Sequence, residues 1–391
     1  MKAAGTDMMK NEIKYEKSEL ELMTTYQLRE ICRREKIMNG VIHPLDKEEL
    51  IQTIMRYMGK RQDFFICDKK KGGEERVEEF LKKTRIVIKP CKELYCQSQI
   101  LAYEGLSIEY YDGYTIPYKK ELSGTNAFLM GSDMTLCAIL NLKEHGGRQE
   151  KLYLTKAAEL ETRETQRKDY RIFCMGRQTS ESLYHLYYGE HTILPEHIEV
   201  YSIPLIDFVV RKPVTLMLPM AIDFGSVNTT AGVYLDSAYF ENVGEQAAVK
   251  NCRENEINYT AFEDGNGESM LLPSVIGVLA VEEEDYKLLF GYDAIRLANA
   301  SYVDEGFCVF YDVKRWIGEY EKEEEIVDRQ GRRRLVKRAE ILRRFFLYII
   351  RKTENRFKCR ISQVHISSPV KQKHYFRRMF REILPEYMTG Q

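Results

Sequence analysis

The sequence predicts an α/β domain over residues 214–391, preceded by a small helical module and an α+β region. Three observations carry this. In the last region apolar, strand-like runs come first and then alternate with helical stretches, the order of an α/β domain. Near the N-terminus two helix-start signals, Thr24 with Gln27 and Asp46 with Glu49, precede apolar residues at helical spacing. From about 91 to 212, tyrosine-rich runs such as LSIEYYDGYTIPY and NAFLMGSDMTLCAIL read as strands.

Residues 1–19 read as a polar, mobile leader. Over 20–61 a helical hairpin follows. Leu28, Ile31 and Cys32 share one face of its first helix, MNGVIHP forms the loop, and Leu50, Ile51, Ile54 and Met55 line the second helix, which Gly59 stops. Residues 62–90 carry dense charges of both signs and read as a solvated helix with a linker near Gly72 and Gly73. The α+β region, 91–213, includes a helix over SESLYHLYYG and shows no catalytic constellation; its role is open. His185, His191 and His197 are spaced off any one helical face, so surface or structural histidines are preferred to a metal site. Pro213 and Pro219 flank the start of the last region. It runs strand, turn, strand, long connection, then the strand LLPSVIGVLAV and the helix FGYDAIRLANA. After FYDVKRWIG come a charged hairpin around DRQG, a long helix, the strand QVHISSP and a basic helix.

Lys plus Arg is 59 and Asp plus Glu is 60, a net charge of −1, so no global field draws the chain to nucleic acid or a membrane surface. The 9 cysteines lack zinc spacing; even Cys91 and Cys96 have no second pair, which points to idle thiols in a reducing compartment. The charged N-terminal stretch has no signal-peptide core, and no apolar run is long enough to span a bilayer. These features point to a soluble cytoplasmic protein without a membrane partner.

The stretch with the most chemistry is MAIDFGSVNTTAGVYL, Met220 to Leu235. Gly225 lets the backbone turn sharply and approach a ligand. Successive amides over Gly225, Ser226, Val227 and Asn228 can form an anion-binding concavity, and the side chains of Ser226, Asn228, Thr229 and Thr230 add donors. Asp223, at the end of an apolar strand, stands where a magnesium ion or its waters need a carboxylate. Alone, such a turn is more often an ordinary hairpin. Downstream, YDVKRWIG sets Lys314 between an aspartate and an arginine, and a lysine near a triphosphate can neutralise developing charge.

Taken in order, IDFGSVNTT, LPSVIGV, FGYDAIRLA, YDVKRWIG and QVHISSPV resemble the first half of the nucleotide-binding domain of the heat-shock-seventy chaperone family, in the actin-like ATPase superfamily. The resemblance covers roughly 217–388. It implies an incomplete RNase H-like subdomain with ATP and magnesium as cofactors. Asp223 would organise the magnesium waters, and Gly225 and Ser226, with Val227 and Asn228, would grip phosphate. Lys314 would serve hydrolysis, Pro369 would be a nucleotide-sensing switch, and Arg377 would relay its state. Val227 replaces a threonine and loses a hydroxyl, the connection from Leu235 to Leu272 is expected to be an exposed insertion, and Lys371 and Gln372 stand where the family has aromatic residues. The second phosphate hairpin, the catalytic acid and the adenosine pocket have no counterpart before Gln391. The expectation is therefore a truncated portion of a chaperone-like protein, inactive by itself, with protein clients and either a missing half or another chain as partners.

MTTYQLREICRREKI and DKEELIQTIMRYMG resemble the SAP-type helix-loop-helix, which implies nucleic-acid contacts at Arg29, Arg33, Arg34, Lys36 and Lys47. Glu30, Glu35, Glu48 and Glu49 weaken that local field, and a helical hairpin that packs on a neighbour is preferred. The alternative to the ATPase reading is a non-enzymatic scaffold whose front helices contact nucleic acid or a protein.

Overall fold

A computed structural model of the chain describes residues 15, 17–35, 46–58, 63–145, 150–243, 251–264, 267–299, 308–328, 330–368 and 373–388. Residues 1–14 and 16 of the expected leader 1–19, with Lys36, Gly59, Pro369, Lys371 and Gln372, lie outside the described residues; the end of that leader is a correction, since Lys17–Glu21 is helical and the Tyr15 hydroxyl donates to Glu35 at 2.9 Å. The molecule is mixed α/β and divides into two compact units. Among the described residues, no helix is long and apolar enough to cross a membrane.

The smaller unit comprises Met1–Gln62, Val275–Phe310 and Glu325–Leu335. Both expected helix starts are formed. The Thr24 hydroxyl accepts from the Gln27 amide at 3.2 Å while Gln27 Oε1 accepts from the Thr24 amide at 2.6 Å. Asp46 and Glu49 exchange the same pair of bonds at 2.8 and 3.0 Å. These bonds satisfy donors that a helix leaves open at its first turn. The helices Thr25–Arg34 and Lys47–Met58 then bury Leu28, Ile31 and Cys32 with Leu50, Ile51 and Ile54. Elsewhere in this unit the strand Ile276–Val281 pairs antiparallel with Tyr286–Phe290 and with Val309–Phe310.

The larger unit comprises Asp63–Ser274, Tyr311–Glu324 and Val336–Gln391. It holds a seven-stranded sheet with spatial order Arg85–Lys89, His197–Leu205, Tyr170–Met175, Thr125–Gly131, Leu136–Lys143, Lys151–Thr155 and Thr115–Pro117. Its central strands are buried throughout because separate apolar clusters form on them: one includes Ile100, Leu129, Leu140 and Phe208, the other Val77, Phe128, Phe173 and Leu183. The second cluster takes in the helix Gly73–Lys83 and the helix Arg177–Tyr188, which covers the expected SESLYHLYYG.

The linker expected within 62–90 is a correction. Val77 and Leu81 are buried, and Arg85–Lys89 is a strand paired in parallel with His197–Tyr201. The charges there occupy one helical face, and a linker signal based on charge density overlooks the other face.

The same unit contains a five-stranded sheet. Three antiparallel strands, Met220–Phe224, Asn228–Leu235 and Glu256–Tyr259, lie side by side. The long helix Arg338–Phe357 follows, and Val364–Ile366 returns parallel to Met220–Phe224. Leu272–Pro273 adds a short pairing to the start of the second strand. The expected exposed insertion between Leu235 and Leu272 is also a correction. It supplies the third strand, buries Tyr239 with its hydroxyl on the Phe357 carbonyl, and places Thr260 2.7 Å from Thr353. Polar runs separate these elements, so in the sequence they read as surface.

Candidate functional site

Period-two alternation builds the site. Met220, Ile222 and Phe224 point into the core, and Ala221 and Asp223 face out. Because Met220–Phe224 and Val364–Ile366 run parallel, their carboxyl ends lie side by side, where ligands collect in α/β sheets. The Ser367 amide donates to the Ile222 carbonyl at 2.9 Å, and the Ser367 hydroxyl donates to Asp223 Oδ1. An exposed carboxylate is thereby held in one orientation at the sheet edge.

The turn Gly225–Asn228 joins Phe224 to Thr229, which are paired across the hairpin. Its carbonyls are drawn inward by Ser274: the hydroxyl bonds the Gly225 oxygen at 2.8 Å and the amide bonds the Val227 oxygen at 2.8 Å. Thr229 Oγ1 lies 2.9 Å from Ser274 Oγ, and both residues are wholly buried. Among the described residues, no backbone acceptor takes the amides of Gly225, Ser226 or Val227. Ser226 is exposed, and Val227, where the expected hydroxyl is lacking, is 74% exposed.

Lys314 lies on the 3-10 helix Val313–Glu319, which Asp312 starts in a left-handed conformation with φ 52°. No ion pair joins Lys314 to Asp223 among the described residues; its Nζ sits 5.8 Å from the centre of the Phe376 ring. A run of aromatic rings nevertheless links the two places. Phe224, next to the turn, lies 5.0 Å from Phe346; Phe346 lies 4.8 Å from Phe380, and Phe380 lies 6.0 Å from Phe376. These rings connect the hairpin to the helix that carries Phe376, but no contact joins Lys314 itself to Asp223 or the turn among the described residues.

Arg377 is exposed on the helix Lys373–Ile383, whose Phe376, Met379 and Phe380 face inward. The basic residues of the front helices belong to the smaller unit. Arg33 pairs with Glu30 at 2.5 Å, Arg34 with Glu35 at 3.3 Å and with the Tyr15 hydroxyl at 2.6 Å, Arg29 is partly buried and Lys47 is exposed. His185 is held by Glu190 at 2.6 Å, a structural pairing. Among the described residues no cluster of three or more His, Cys, Asp or Glu could hold a metal ion.

Sequence reasoning placed the turn and Asp223 and expected Thr229 to offer a donor to an anion; its side chain is instead buried, with the hydroxyl 2.9 Å from Ser274 Oγ, and neither Ser274 nor Ser367 was given a role. The Pro-Ser step before Val275 and the serine two residues before Pro369 were the available signals. Compared with known proteins, the chain matches no family model and no curated sequence.

Proposed function

We propose that the turn Gly225–Asn228 is the phosphate grip of an actin-like ATPase type of nucleotide site, in the N-terminal portion of a chaperone-like ATP-binding protein. The observation that carries this reading is the inward capture of the Gly225 and Val227 carbonyls, with the amides of Gly225, Ser226 and Val227 taken by no backbone acceptor among the described residues, beside an exposed carboxylate bonded by Ser367. Successive free amides in a turn make an anion-binding concavity. The residues fit ATP and magnesium. The amides would meet phosphate oxygens and Asp223 would order the magnesium waters, while the role of Lys314 in hydrolysis rests on the resemblance of YDVKRWIG alone. Bound magnesium would neutralise phosphate charge.

Binding by one hairpin alone is expected to be weak, on the order of millimolar. Amide NMR of the full chain with ATP and magnesium tests this. Shifts confined to Gly225–Asn228 and Asp223, and lost in Asp223→Asn when magnesium is present, are expected. No shift at the turn with saturating ATP rejects the reading. The nucleic-acid reading of the front helices has less in its favour, since Arg33 and Arg34 are already drawn to glutamates.

A further inference from the structure

The structure assigns a positioning role to Ser274. We propose that a buried relay, Thr229 to Ser274 to the Gly225 carbonyl, aims the amides of Ser226 and Asn228 at a bound phosphate, an inference that rests on the phosphate-grip reading above.

The direction of the relay follows from proton counting. A serine hydroxyl has one proton and two lone pairs. Ser274 Oγ donates its proton to the Gly225 oxygen at 2.8 Å, so toward Thr229, 2.9 Å away, it accepts and Thr229 Oγ1 donates. The Thr229 and Ser274 side chains are wholly buried, so water does not compete for these bonds. Ser274 acts a second time through its backbone, with its amide on the Val227 oxygen at 2.8 Å.

Two peptide planes are thereby fixed. In a trans peptide the carbonyl and the following N–H point in opposite directions, and the chain has no cis bond among its described residues. With the Gly225 carbonyl held toward Ser274, the Ser226 N–H points away from it. With the Val227 carbonyl held the same way, so does the Asn228 N–H. Alternate planes of a four-residue turn are pinned from behind by one residue, so its amides need no reorganisation when an anion arrives. Gly225 is also the residue whose Cβ would strike the Asn228 carbonyl, at 2.2 Å, so the turn is already as tight as a glycine permits.

The experiment uses the full chain with Thr229→Val, which removes the relay donor at nearly constant volume, and Ser274→Ala, which removes the hydroxyl but keeps the backbone bond. Carbonyl and amide NMR shifts are first read without ligand. The Gly225 carbonyl and the Ser226 amide are expected to move in both variants, with the Val227 carbonyl staying in place. Inorganic tripolyphosphate is then titrated, and both variants are expected to bind about tenfold more weakly than wild type, the size of a 1.4 kcal/mol loss. Unchanged Gly225 and Ser226 shifts in both variants overturn the relay, as does unchanged tripolyphosphate affinity in variants whose shifts have moved. A wild-type chain that binds neither tripolyphosphate nor ATP overturns the phosphate-grip reading instead, and the ligand-free shifts still decide whether Ser274 sets the turn. If Ser274→Ala fails to fold, the Thr229→Val arm decides alone.

Discussion

A Cβ built on Gly225 meets the backbone oxygen of Asn228 at 2.2 Å, and a backbone atom cannot swing aside as a long side chain does. The constraint here is space, because the carbonyl of Asn228 folds back over the glycine. Gly225→Ala must therefore open the turn, at a cost of about 1–3 kcal/mol, the range for forcing extra atoms into a packed site. Urea denaturation checks the stability, and loss of the tripolyphosphate shifts checks the turn. An alanine variant with wild-type stability and wild-type shifts contradicts the packing argument. At the same scale, the Val227 side chain lies in solvent, and its contribution to the turn is the carbonyl that Ser274 holds.

Elements close through buried polar groups as well as through apolar faces. The charged hairpin pairs Glu323–Val327 with Arg333–Lys337, and Asp328 begins its turn. The buried Asp328 carboxylate accepts from the amides of Val281, Gln330 and Arg332, each at 2.9 Å, and from Arg332 Nε at 2.7 Å. Burial by itself would raise its pKa; the hydrogen bonds and the guanidinium outweigh burial and hold it below the ordinary 3.8. The sign follows. A depressed folded value means that the unfolded chain binds the proton more readily, so the stabilisation is complete above the unfolded pKa and is lost as pH falls through the folded one. Asp328→Asn should cost about 1–3 kcal/mol at neutral pH. It should also flatten the acid limb of stability against pH, read from thermal unfolding at stepped pH. A parallel acid limb in wild type and variant would show that another carboxylate carries the effect.

At the largest scale, a buried ion pair ties the short helix Tyr110–Asp112 to the end of the long helix Arg338–Phe357 within the larger unit. Lys358 Nζ lies 2.7 Å from Asp112 Oδ2 and 2.8 Å from the Ser107 carbonyl, with both charged side chains almost wholly buried. Lys358 ends the long helix in a left-handed conformation, φ 51°, where glycine is usual. Its amine accounts for the exception, since glycine would relieve the backbone but leave Asp112 without its partner. Lys358→Met is expected to cost about 3–5 kcal/mol by stranding a buried carboxylate. Lys358→Gly should remain destabilising although it recovers about 1 kcal/mol of backbone strain. Adding Asp112→Asn to Lys358→Met should restore part of the loss in urea unfolding; additive losses would mean that the two groups do not act as a pair. No spacing rule could have paired Asp112 with Lys358, because they lie in segments with no periodicity in common.

What the sequence determined by itself is local. Thr24 with Gln27, Asp46 with Glu49, the alternation through Met220–Phe224 and the glycine turn after it are each decided within a few residues, by backbone donors that need an acceptor and by apolar side chains that need one face. Partnership across the chain was decided by the tertiary structure. It brought Ser274 and Ser367 to the turn, made Arg85–Lys89 a sheet strand, buried Tyr239, Thr260 and Phe262 from the connection after Leu235 and set Lys358 against Asp112. A serine or a lysine has the same local preferences whether it ends in solvent or in a buried relay, and only packing selects between the two, by removing water and leaving one available partner.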